Sequence, residues 1–159
     1  MDRSLVVFVV TDGAPRYRML ETIRDYARER LTEAGEVDLL RERHGAWFAE
    51  MARNVRDHAG GAEESEWLAK AALDHDNLRA ALGSLGQEAQ QQVAGLAMAV
   101  HLVPFWMVRG HLSEGRQWLD RLISAGADVG ANAQAAALEG VVELAFRQSD
   151  YATALTHGE

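Results

Sequence analysis

Cysteine is absent from the 159 residues, proline occurs twice, and the only lysine is Lys70. Each shortage closes a class of function. Without thiols there is no disulfide framework and no thiolate nucleophile or ligand, which fits a reducing, cytoplasmic setting. Lys70 stands between Ala69 and Ala71, so no G-x-x-x-x-G-K-[ST] loop can be written. ATP hydrolysis through a phosphate-loop lysine is therefore excluded. The apolar run in MDRSLVVFVV is too short for a secretory leader, and no small-residue cleavage site follows it.

The six histidines, at 44, 58, 75, 101, 111 and 157, include no i, i+3 or i, i+4 pair. No single helix face is thus expected to present two imidazoles to a metal. Asp74-His75-Asp76 reads as a capping turn rather than a chelate. His111-Leu112-Ser113-Glu114-Gly115 lacks the first glycine of a nucleophile elbow, and no strand precedes it. The sequence thus predicts no catalytic residues, no bound metal and no cofactor.

What is present is acidic and unevenly distributed. The net charge is −8, from 16 basic and 24 acidic side chains. Residues 1–31 hold six arginines against five acids, or +1; the rest hold 16 − 6 = 10 against 24 − 5 = 19, or −9. Phosphate backbones attract basic surfaces. If the chain touches nucleic acid, the first thirty or so residues must do it, and the long acidic remainder is a poor binder.

Ser4–Val10 is a β-branched and aromatic run, Thr11-Asp12-Gly13-Ala14-Pro15 carries turn chemistry, and Arg16–Met19 can return as a second strand. A lone hairpin is marginal, and a first strand apolar on both faces expects cover on both. From Leu20 onward the pattern is helical. Leu20, Ile23, Ala27, Leu31 and Ala34 share a face, and Gly35 is a natural stop. Leu40, His44, Trp47, Phe48, Met51 and Val55 form a second stripe that ends at Gly60-Gly61. Further helices are expected from Trp67, from the Asp74–Asn77 turn through Leu85, and from Leu112, Leu138 and Tyr151. Val93–Val108 is apolar except at Gly95, His101 and Pro104. It is predicted as the buried central helix of a layered stack, too short to span a membrane.

Two junctions can be superposed along the sequence. Trp106–Gly115 and Ala145–Ala154 each end a hydrophobic helix, turn at a small residue (Gly110, Ser149) and restart on a bulky apolar one, 149 − 110 = 39 residues apart. That spacing is the logic of stacked helix pairs. The first junction gathers a candidate partner or ligand groove of Trp106, Arg109, His111 and Trp118, although a packed core accounts for the same aromatics. Arg16 and Arg18 alternate with Tyr17, so both point to one face of the hairpin. They are candidate wing contacts to phosphate, or simply partners for acids on the next helix.

These stretches resemble a known family. SLVVFVVTDGAPRYRMLETIRDYARERL is similar to the wing hairpin and following helix at the end of the nucleotide-binding module in bacterial STAND-type regulators, the large LuxR-like and AfsR-like transcription factors. WLAKAALDHDNLRAAL (67–82) resembles the first helices of their sensor region, FWMVRGHLSEGRQWL (105–119) is the most specific signature, and FRQSDYATAL (146–155) resembles a tetratricopeptide turn. The resemblance implies a mainly α fold: a short N-terminal β-hairpin, as a winged-helix remnant over 1–35, then an antiparallel tetratricopeptide-like α-solenoid over 36–159, truncated at its C-terminal end. It implies a non-enzymatic sensor for a protein, peptide or small-molecule inducer, lacking the parent ATPase module. The competing expectation is a small DNA-binding protein that uses the hairpin as a wing. No membrane partner is expected, and the hairpin edge could join copies into a homo-oligomer. Two positions depart from the family pattern: Pro104, where a polar or basic residue is usual and a kink is expected, and Val142, where a small one is.

Overall fold

The computed structural model describes residues 5–11, 14–86, 89–125, 129–152 and 155. By the density of their internal contacts they form two compact units, residues 1–42 and 43–159, whose boundary falls inside a helix.

In the first unit, β1 (Val6–Thr11) and β2 (Ala14–Met19) form an antiparallel two-stranded hairpin. The turn residues Asp12 and Gly13 lie outside the described residues. Register pairs Val7 with Arg18, Phe8 with Tyr17 and Val9 with Arg16. One face therefore carries Val7, Val9, Arg16 and Arg18, while Phe8 and Tyr17 meet edge-on at 5.6 Å on the other. Both faces retain exposed apolar side chains: Val7, Phe8, Val10, Tyr17 and Met19 all stand in solvent. Helix α1 (Glu21–Ala34) follows, and Gly35 ends it in the left-handed region at φ 68°, where a Cβ would be strained. Its acids pair with its own arginines, Glu21 with Arg24 and Asp25 with Arg28, each at 3.5 Å. α1 contributes no buried residue.

Helix α2 (Val37–Asp57) runs across the boundary into the second unit, which continues with α3 (Glu64–Leu73), α4 (His75–Leu85), α5 (Ala89–Arg109), α6 (Leu112–Ser124) and α7 (Ala131–Arg147). Tyr151 and Ala152 are helical again after a turn. The mainly α fold with an N-terminal hairpin and a helical array is thus the one expected. The apolar stripe expected on α2 is only partly used. Gly45, Phe48, Ala52 and Val55 are buried, whereas Trp47 is 69% exposed. Adjacent helical positions are about 100° apart, so one packed face cannot enclose both Trp47 and Phe48.

The core is built around α5, which packs on α4, α6 and α7. Leu96, Met98, Ala99, Leu102, Val103, Phe105 and Trp106 of α5 are all buried. That helix is long and apolar enough to cross a membrane by length and composition, but half of its apolar window is buried inside the fold. Its hydrophobicity is used in the core. The helix runs on through Pro104, which has no N–H to return to the carbonyl one turn earlier.

Two glycines let these helices approach closely. A Cβ on Gly115 of α6 would lie 2.6 Å from Trp106 Cε3 and 2.8 Å from Leu144 Cδ1. One on Gly140 of α7 would lie 2.9 Å from Val103 Cγ2. Side chains at these points would wedge the layers apart.

Candidate functional site

The junction between α5 and α6 is set by backbone geometry. Gly110 takes φ 78°, and the His111 amide donates to the Trp106 carbonyl at 2.9 Å. Thirty-nine residues on, Ser149 takes φ 60° and the Asp150 amide donates to the Ala145 carbonyl at 3.0 Å. The two junctions aligned by sequence thus close with the same left-handed residue and the same hydrogen bond. Ser149 is the one non-glycine with positive φ among the described residues. Its short polar side chain tolerates that region less readily than glycine does.

From this junction the first turn of α6 sends polar side chains in two directions. Glu114 Oε1 lies 3.1 Å from His75 Nε2, at the start of α4, and 3.3 Å from Arg79 Nε. The imidazole of His75 also lies against His111 (ring centroids 4.5 Å apart) and meets Phe105 edge-on at 5.3 Å. Towards α7, the Gln148 amide donates to Ser113 Oγ at 2.8 Å, and Arg116 donates to Gln148 Oε1 at 2.7 Å and to Asp150 Oδ2 at 2.9 Å. The stretch HLSEGR is therefore a hub. His111 and Glu114 face α4, Ser113 and Arg116 bind the following turn, and Gly115 admits the Trp106 ring. Ser113 Oγ accepts from the Gln148 amide, so its hydroxyl ties the start of α6 to the turn after α7.

A separate groove of about 340 Å³ opens along α5. Pro104, Met107 and Val108 supply its apolar floor, and Arg56, Glu64, Glu143 and Arg147 ring it with mixed charge. One turn away, burial and the guanidinium groups of Arg53 and Arg56 lower the pKa of His101 below the ordinary 6.5, opposed by Asp57. Burial likewise lowers that of His44, which a hydrogen bond to the Asn77 side chain partly offsets.

The residues singled out in the sequence are placed as follows. Trp106 is 1% exposed and belongs to the core. Arg109 is exposed at the end of α5. His111 is half-buried against His75 and Phe105. Trp118 is half-buried, with the Arg121 guanidinium 5.7 Å from its ring. The groove along α5 has a different lining. Arg16 is half-buried and engaged by neighbouring groups, while Arg18 is exposed. The lone Lys70 lies 4.2 Å from the Trp67 ring centre and 2.7 Å from Glu66, whose pKa it lowers through their hydrogen bond. Asp74 occupies the N-cap position of α4, but its carboxylate accepts from the Asn77 amide at 2.8 Å and makes no capping bond.

The architecture is a hairpin followed by a helical array whose helices are tied by polar contacts. No family model matches the chain, and no solved structure matches it significantly. It is similar to proteins of Mycobacterium tuberculosis and Mycobacterium bovis, each named as a presumed HTH-type transcriptional regulator. In both, 36% of 123 aligned residues are identical, covering 77% of this chain. The matched region spans 14% of the length of those relatives.

Proposed function

We propose that the chain is a non-enzymatic regulatory segment of a bacterial transcriptional regulator of the STAND type, acting in the cytoplasm. Residues 36–159 form its tetratricopeptide-like sensor, and residues 1–35 belong to a winged-helix element. The observation that carries this reading is the recurrence of one junction geometry at Gly110 and Ser149, within a chain 36% identical to presumed HTH-type regulators over 123 residues. The sensor takes a protein, peptide or small-molecule inducer. The groove beside Pro104 offers arginines and carboxylates around an apolar floor, which suits an extended peptide or a polar metabolite. Binding there favours one arrangement of the array over another, and the rest of a full-length regulator would read that shift.

The alternative is a DNA contact through the hairpin, supported only by the shared face of Arg16 and Arg18. Two measurements on the purified chain separate the readings. One is a gel shift with a random duplex at low salt; the other is a thermal-shift screen of peptides and polar metabolites, with Arg147→Glu as the groove variant. The sensor reading expects no retardation, and a ligand whose stabilisation the variant loses. Retardation abolished by replacing Arg16 and Arg18 with alanine would install the wing reading in its place.

A further inference from the structure

We propose that His75, His111 and Glu114 form a binding site for a divalent transition-metal ion of the zinc type, clamping α4 to α6. The inference is independent of the regulatory reading. A donor atom from each of the three residues lies within 4.8 Å of the other two, and all three residues are half-buried. The set is two imidazoles and one carboxylate, the composition that borderline divalent ions accept.

The spacing suits such an ion. Zinc–nitrogen and zinc–oxygen bonds of about 2.0–2.2 Å give a tetrahedron with an edge of about 3.4 Å. His75 Nε2 and Glu114 Oε1 are already 3.1 Å apart. His111 sits at the N-cap of α6 outside helical geometry, with φ −85° and ψ 38°, and its side chain makes no capping bond. Its ring can therefore turn towards the other two without disturbing the helix. Phe105 lines the site from α5, with its ring centre 5.3 Å from His75 and 5.7 Å from His111.

Arg79, 3.3 Å from Glu114 Oε1, is the opposing influence. A guanidinium beside a carboxylate competes with an ion for the same oxygen. Arg79 is 54% exposed, however, and can swing outward, whereas Glu114 is 19% exposed and held in place. Three protein ligands leave a fourth position for water or a donor atom from a partner. The ion would add coordinate bonds to the ion pair and ring contacts that already join α4 to α6, so occupancy would stiffen this end of the array.

The test is zinc chloride titrated into the full chain, followed by calorimetry and thermal melting, with cobalt(II) absorption reporting the ligand field. One equivalent should bind and raise the melting temperature. His75→Gln, His111→Gln and Glu114→Gln should each weaken binding by about tenfold or more, and His58→Gln should leave it unchanged. Equal affinity in the wild type and the His75→Gln/His111→Gln double variant would overturn the site. A second readout needs no variant: zinc should protect His75 and His111, but not His58, from diethyl pyrocarbonate. Equal labelling of His75 and His111 with and without zinc would reduce the cluster to a hydrogen-bonded tie.

Discussion

Adding one methyl group at Gly115 tests whether close helix approach builds this core. A Cβ there would stand 2.6 and 2.7 Å from two atoms of the Trp106 ring and 2.8 Å from Leu144 Cδ1. Trp106 is 1% exposed and Leu144 fully buried, so neither can move aside cheaply. Overpacking of this kind costs about 3 kcal/mol at the upper end of its usual range. Alanine recovers about 1 kcal/mol of helix propensity over glycine, leaving Gly115→Ala destabilised by about 2 kcal/mol. In a chain of this length that lowers the melting temperature by about 4–8 °C. Gly83 of α4 is the control. Its nearest prospective neighbour, Trp118 Cη2, is 3.8 Å away, an ordinary contact. There the propensity gain stands alone, so Gly83→Ala should melt about 2–4 °C higher than wild type. Thermal unfolding followed by far-ultraviolet circular dichroism reads both variants. If Gly115→Ala melts at or above the wild type, the close approach of α5, α6 and α7 is refuted.

Replacing Trp106 with alanine should cost about 3–5 kcal/mol in denaturant unfolding, because the ring is fully enclosed; the same change at half-buried Trp118 should cost clearly less, and equal losses would contradict the placement of the two rings. The lowered pKa of His101 means that the folded state resists protonating it. The unfolded chain therefore binds more protons just below the ordinary value of 6.5, and stability should fall as pH drops through that value. His101→Gln should reduce that pH dependence of chemical denaturation and leave the share contributed by His44; an unchanged slope would assign the titration to another group. Phe8 and Val10 are 56% and 63% exposed, so the hairpin should self-associate at high concentration. Phe8→Lys with Val10→Lys should return sedimentation to the monomer, and a monomeric wild type would remove the hairpin as an interface.

Much of this molecule was legible in local sequence. Apolar residues at helical spacing placed the helices, because that periodicity follows from 3.6 residues per turn whatever the helix packs against. Gly35 and the Gly110 turn declared themselves because a positive φ favours glycine. Even Ser149 was found, through the 39-residue offset that aligned it with Gly110. What local pattern did not decide was which residues meet. Trp106 and Trp118 look alike as aromatics near a junction, but Gly115 draws the first into the core and leaves the second at the rim. Trp47 and Phe48 both fit an apolar stripe, and only packing chose Phe48. His75 and Glu114, 39 residues apart, carry no mutual signal at helical spacing. The i, i+3 spacing of His111 and Glu114 was the one available hint, and it joins an imidazole to a carboxylate rather than to a second imidazole. Periodicity is a property of a single segment, whereas a site formed across α4 and α6 exists only once their separation and rotation are fixed by the side chains packed between them.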